Sequence, residues 1–277
     1  MQAGLVIDEH GVAGGLYSPL AYQLATLAVL AGAAPGTVWV DDPAAPGLSL
    51  MQVGHRLYLV GDSQVKGAAL KQLGCTLLEQ LLPAAKAHGE EGFVLYYHDE
   101  GWGEVLQSSL FAGRTVYPGR RNYYELSGLR ADWHPPVMPE LPTGLELTAL
   151  DEPLVSRRDL RNHTALLEEM QSERASVADF MAKSFGTCIT SADALVTWCL
   201  SEYNLGERCE IGIATDEAYR RQGLATLAAM GMIRQAYGLG VRRIGWHCWL
   251  RNEGSNATAR KLGFAHVNEH GAFFLPA

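Results

Sequence analysis

Apolar and polar positions in the second half of the chain recur with two periods. Residues 145–150 alternate as a strand does. Residues 159–183 set Leu166, Leu167, Met170, Val177 and Phe180 among charges at helical spacing. Strand-like runs follow at 187–190, 195–203 and 209–215. Residues 219–237 predict a helix, ended by Gly238 and Gly240. Residues 242–250 predict a strand with Ile244, Trp246, Cys248 and Leu250 on one face. A short helix over 254–262 stops at Gly263, and closing strands lie near 264–268 and 272–275.

The first half shows a similar order without the first strand. A helix over 19–32 precedes strands at 37–41, 48–53 and 56–61. A helix over 65–88, a strand at 93–97, a helix near 102–110 and strands near 115–117 and 123–126 complete it. The match between halves is one of succession, not of residues, so duplication and coincidence both stay open. Pro135, Pro136, Pro139 and Pro142 cannot continue a helix or a central strand. Residues 131–142 therefore read as a linker between a domain over 1–134 and one over 143–277, with a long surface loop as the alternative.

Composition narrows the function. With 48% hydrophobic and 19% charged residues, the chain is a globular one. A net charge of −8 disfavours a nucleic-acid partner, which selects a basic face. The start of the chain lacks a charged, apolar leader, and the longest apolar stretch, 20–34, is too short to span a bilayer. The five cysteines include no Cys-x-x-Cys pair, which points to a reduced, cytoplasmic protein.

The sharpest local signal lies at 210–225. A strand runs into a turn and a helix start that carries Arg220, Arg221 and Gly223. The first amides of a helix are unpaired and that end is electropositive, so two arginines fit there when an anion joins them. A phosphate would take the amides and the guanidinium groups together, and Gly223 would let the backbone come close. A solvated helix start, with Asp216 and Glu217 balancing the arginines, is the alternative. Arg220-x-x-Gly223-x-Ala225 resembles the pyrophosphate loop of the GNAT superfamily of N-acetyltransferases. The next strand leads to Asn252-x-x-Ser255 and then Lys261-Leu-Gly-Phe264, as in that superfamily's fourth helix and the turn after it. Fainter similarities at 38–42, 53–62 and 198–203 resemble a two-part bacterial group to which zwittermicin-resistance acetyltransferases are similar.

The resemblance implies an α+β fold for 143–277, with a mixed central sheet that splays between the strands at 210–215 and 242–250. It implies that acetyl-CoA lays its pantetheine arm along Ile213, Ala214 and Thr215. Its diphosphate would rest on Arg220, Arg221, Gln222, Gly223, Leu224 and Ala225, with Asn252 and Ser255 alongside. Both of these also suit a helix N-cap. The first half becomes a degenerate GNAT-like α/β domain, since Gly61-Asp62-Ser63 leads into its helix with no Arg-x-x-Gly.

Amine acetylation needs a proton acceptor. Glu210 holds the position where many GNAT enzymes place a glutamate, and Glu202 is the second candidate; an outward carboxylate is the alternative. His247, beside Trp246 and Trp249, fits a packed histidine better than a base. Where many members carry a tyrosine as proton donor to the thiolate, this chain has Ala259; Tyr203, Tyr219 or water would substitute. No cysteine or histidine spacing supports a metal. The expected activity is transfer of an acetyl group to a primary amine of a small molecule, with neither membrane nor nucleic acid involved. A non-catalytic acyl-CoA-binding module and a protein N-acetyltransferase are the competing readings. The sequence says nothing of oligomeric state.

Overall fold

A computed structural model of the chain describes residues 4–9, 11–65, 67–129, 133, 140–172 and 174–277. Packing divides it into two compact units, residues 1–121 with 269–277 and residues 122–268. These boundaries differ from those set by the proline-rich stretch, of which Pro135, Pro136 and Pro139 lie outside the described residues. The chain passes between the units within two long strands, β6 (Tyr117–Ser127) and β12 (Ala265–Pro276).

The first unit begins with β1 (Val6–Ile7), a 3-10 turn (Val12–Leu20) and α1 (Leu24–Leu30). Strands β2 (Thr37–Val40), β3 (Leu48–Val53) and β4 (Arg56–Gly61) follow. Then come α2 (Ala68–Gly74), a wider helical segment (Cys75–Leu81) and α3 (Leu82–Ala87). β5 (Gly92–Tyr97) and α4 (Gly101–Val105) lead to β6. The sheet runs β1-β2-β3-β4-β5-β12, with β4 and β5 parallel and the other registered pairs antiparallel. The sequence pattern gave this half no first strand. The structure supplies one, since Val6 and Ile7 pair with Val40 and Trp39. Leu57, Leu59, Leu95 and Phe273 alternate onto one face and pack with Leu73, Leu77 and Trp102 from the helices.

The second unit holds β7 (Glu146–Ala149), α5 (Glu152–Val155), α6 (His163–Ser172), α7 (Val177–Lys183), β8 (Gly186–Thr190) and β9 (Leu195–Leu205). It continues with β10 (Arg208–Thr215), α8 (Leu224–Gly238), β11 (Arg243–Trp249) and α9 (Glu253–Lys261). The sheet order is β6-β11-β10-β9-β8-β7, with β10 and β11 parallel. Cys209, Ile211, Ile244 and Trp246 face α8 and α9. Leu195, Trp198 and Leu200 face α6 and α7, where Leu166, Met170 and Phe180 are fully buried. Burying each such side chain contributes about 1.5–3 kcal/mol, which far exceeds the intrinsic propensity of these short helices.

Three continuities differ from the sequence pattern. The helix expected over 159–183 is cut in two because Ser176, in extended conformation, accepts the amide of Asp179 at 3.1 Å and starts α7 afresh. The strand pair near 115–126 is the single β6, which passes through Pro118 near its exposed end. The two closing strands are the single β12. Gly271 lies inside it because a Cβ there would sit 2.0 Å from the Tyr97 hydroxyl, so its glycine marks a close approach and not a turn. Among the described residues, no helix is long and apolar enough to cross a membrane.

Candidate active site

The parallel pairing of β10 with β11 registers from Arg208↔Arg243 to Ile211↔Trp246. Beyond that pair β10 continues to Thr215 and β11 to Trp249, with no registered partners between them. Two parallel strands that stop pairing leave peptide groups that need another partner. At this point a cleft of about 800 Å³ opens.

Its floor is the turn from β10 into α8. Arg221 and Gly223 have φ of 62° and 79°. Left-handed residues in such a turn gather successive amides to one side, a shape that suits an anion. For Arg221 this conformation costs on the order of 1 kcal/mol, a strain of the kind that functional sites hold. Gly223 is the N-cap of α8 and has no side chain to occupy the helix's first amides. Arg220 folds back so that its Nε donates to the Thr215 carbonyl at 3.3 Å. Asp216 does not simply balance the arginines. Its carboxylate accepts from Asn162 Nδ2 at 2.8 Å and from the Ala218 amide at 3.0 Å, and lies 3.7 Å from Arg161. The Asn162 hydrogen bond, then the amide, hold it below the usual carboxylate range.

Of the residues expected to hold acetyl-CoA, Ile213, Ala214, Thr215, Arg220, Arg221, Gly223, Leu224, Ala225, Asn252 and Ser255 all line the cleft. Gln222 is exposed beside it and is not part of the wall. Asn252 also caps α9, accepting the Ser255 amide at 3.1 Å, so the wall and the cap are one residue. Ser255 Oγ accepts the indole N–H of Trp246 at 2.9 Å. Tyr219, Thr226, Trp246, Gly254 and Thr258 complete the wall, and none of them was expected at the cofactor from the sequence. Thr258 was findable, since 252, 255 and 258 recur at the spacing of one helix face.

Glu210 and Glu202 are not among the residues that line the cleft. Glu210 is 4% exposed and faces away from α8, since Cys209 and Ile211 on either side of it pack against that helix. His247 shares that face: its Nε2 lies 3.2 Å from Glu210 Oε1, and its ring stacks on Tyr123 with centroids 4.6 Å apart. The histidine is thus paired as well as packed. Glu202 is the extra residue of a bulge in β9, where the register slips between Glu210↔Tyr203 and Ile211↔Ser201. Its carboxylate lies over Gly212, where a Cβ would be 2.2 Å from Oε1. Ala259 is fully buried in the core, Tyr203 is nearly so, and Tyr219 lines the cleft.

The family profile described as GNAT acetyltransferase matches residues 20–273, nearly the whole chain. The chain belongs to the GNAT acetyltransferase family. It is 26% identical over 240 residues to the "uncharacterized N-acetyltransferase YdfB" of Bacillus subtilis, covering 87% of this chain and 85% of that one. Among solved structures it is similar to a GCN5-related N-acetyltransferase-like protein from Streptococcus suis. That match has a TM-score of 0.68, 19% identity, and 95% and 96% of the two chains. It is also similar to a tandem GNAT protein from the clavulanic acid biosynthesis pathway, with a TM-score of 0.53, 13% identity and 98% of both chains. These likenesses establish the GNAT fold, a mixed sheet with flanking helices, and an acyltransferase enzyme family. Among the described residues of this GNAT chain, no group of three or more His, Cys, Asp or Glu is placed to hold a metal ion.

Proposed function

We propose that the second unit transfers an acetyl group from acetyl-CoA to a primary amine of a small molecule by direct attack. The observation that carries this reading is the cleft, which opens where β10 and β11 part and ends on the Arg220–Ala225 turn. The amides of 221–225 and the two guanidinium groups suit a diphosphate. The backbone of Ile213 to Thr215 suits the amide-bearing pantetheine arm, which would add to β10 as a short strand. Asn252 and Ser255 form the opposite wall. Two carboxylates next to the point where the strands part, Glu210 and Glu202, favour a cationic acceptor.

Glu210 is assigned as general base, with Glu202 second. It would take a proton from the acceptor's ammonium, freeing the nitrogen lone pair to attack the carbonyl carbon. The C–S bond then breaks and the thiolate takes a proton, for which the Tyr219 hydroxyl on the cleft wall is a candidate; the surplus proton on the attacking nitrogen leaves through water and restores the donor. Positioning of amine and thioester supplies most of the acceleration in such a reaction.

The first unit is assigned as a partner that binds no acetyl-CoA, as in a two-part protein similar to the zwittermicin-resistance type. Beyond β4, the Trp102 indole is fully buried and donates to the Gly61 carbonyl at 3.0 Å. Ser63 Oγ donates to Asp99 at 2.5 Å, which, with the Gly101 amide, keeps that carboxylate ionised below its usual range. A turn with Asp62 and an ionised Asp99 in place of arginines repels a diphosphate. The protein is expected to work in the cytoplasm, where acetyl-CoA is at hand. Titration calorimetry on the full chain tests the reading: it requires one acetyl-CoA per chain, and two equivalent sites or none would refute it.

A further inference from the structure

Glu210 and His247 come from different strands and meet beside a glycine. Glu210 pairs in register with Gly245, and His247 stands two residues further along β11 on the same face. An added Cβ on Gly245 would lie 2.9 Å from Glu210 Cγ and 3.0 Å from Tyr123 Cε2. The missing side chain at 245 therefore leaves the space through which the Glu210 carboxylate lies alongside β11. On the other side, Gly212 leaves room for Glu202. The His247 ring is clamped against Tyr123, whose hydroxyl donates to Glu125 Oε2 at 3.1 Å; Glu125 in turn holds Arg243 at 2.8 Å. A ring fixed in this way presents Nε2 in one direction only, toward Glu210 Oε1.

We infer that His247 is the positioning residue of the active site: its Nε2–H holds one oxygen of Glu210 so that the other faces the acceptor nitrogen. The inference rests on Glu210 being the base, and deepens that assignment. A buried carboxylate on a flexible stem has several rotamers, and the direction of its lone pairs differs among them. A fixed donor selects that rotamer before substrate arrives. The Tyr123 stack and the Glu125–Arg243 pair act as the support behind the donor.

The test separates a held carboxylate from a merely packed ring. His247→Gln keeps an N–H donor within reach of Glu210. His247→Phe keeps a ring on Tyr123 and removes the donor. With acetyl-CoA and 1,4-diaminobutane, His247→Phe should lower kcat by about 10-fold or more, the scale of a misplaced reacting group. His247→Gln should restore most of it, and KM for acetyl-CoA should stay unchanged in both. In a Glu210→Gln background, His247→Phe should add no further loss, because the histidine acts only through the glutamate.

Full activity in Glu210→Gln would sink the base assignment itself. Loss in Glu210→Gln with an unaffected His247→Phe, or equal losses in both backgrounds, would leave that assignment standing and overturn this inference. A readout without acceptor runs in parallel and decides alone if diaminobutane is not turned over. In proton–nitrogen NMR of the full chain, the His247 Nε2–H should resonate downfield, vanish in His247→Phe and move upfield in Glu210→Gln. An Nε2–H signal unmoved by Glu210→Gln would show that no such hold exists.

Discussion

Replacing Asn256 by alanine should cost the second unit more stability than its small volume suggests. This side chain is 3% exposed, behind the cleft wall. Its Oδ1 accepts from Asn122 Nδ2 at 2.6 Å and from the Tyr124 hydroxyl at 2.9 Å, with the Cys248 thiol at 3.3 Å. Its Nδ2 shares two hydrogens among the carbonyls of Trp249, Leu250 and Asn252, at 3.0, 3.2 and 2.7 Å. Alanine removes about four effective hydrogen bonds, each worth about 1 kcal/mol net, and leaves the Asn122 amide and three carbonyls with a partner fewer. The sum is about 3–5 kcal/mol. For a unit of 147 residues, 122–268, each kcal/mol lowers the melting temperature by roughly 2–4 °C, so a fall on the order of 10 °C is expected. Differential scanning calorimetry with matched ellipticity melts would measure it. Asn252→Ala is the control: it removes only a helix cap, about 1 kcal/mol. A melting temperature for Asn256→Ala within about 2 °C of the parent would refute the account of this residue as the anchor of the β11–α9 turn.

Gly223→Val places a branched side chain at φ 79°, where the diphosphate would approach; the folded variant should lose acetyl-CoA affinity by tenfold or more, and unchanged calorimetric affinity in a cooperatively melting protein would move the site elsewhere. Glu210→Gln should lower turnover by about 10²-fold near pH 7 and leave acetyl-CoA affinity nearly intact. Part of that loss should return as pH rises, because more of the amine is then already neutral; a flat, unchanged profile would transfer the role to Glu202. Trp102→Ala, which empties a fully buried site in the first unit, should cost about 3–5 kcal/mol there without changing the stoichiometry of acetyl-CoA.

The wall of the cleft was legible in the sequence because its geometry is local. Arg220, Gly223 and Ala225 sit in one short turn and helix start, and Asn252 and Ser255 begin one helix, so backbone geometry fixes them with little help from tertiary contacts. The deep residues were less legible. The alternation of Ile244, Trp246 and Cys248 puts His247 on the opposite face, but its meeting with Glu210 depends on the register of β11 against β10, a pairing between segments distant in sequence. The long strands were divided where glycine or proline suggested a turn. Gly271 belongs instead to the Tyr97 hydroxyl, a partner 174 positions away in sequence. The units also divide elsewhere than at the proline-rich segment, because strand pairing between distant residues overrides the local composition that marks a linker.

The pairing of β12 with β5 also has a bearing on synthesis. On the side away from β4, Gly92 to Tyr96 find their partners at Pro276 to Ala272, about 180 positions further along the chain. The first unit therefore waits, with one edge of its sheet open, while about 175 further residues are added. At roughly 5–20 residues per second this is on the order of ten to forty seconds. An open apolar edge is a template for wrong pairing, so the nascent chain is most vulnerable long after its first half has emerged. Loss of Ala272 to Pro276 would leave that edge permanently exposed. A stop codon placed just before Ala272 should thus yield insoluble protein, although every residue proposed to touch acetyl-CoA is still present.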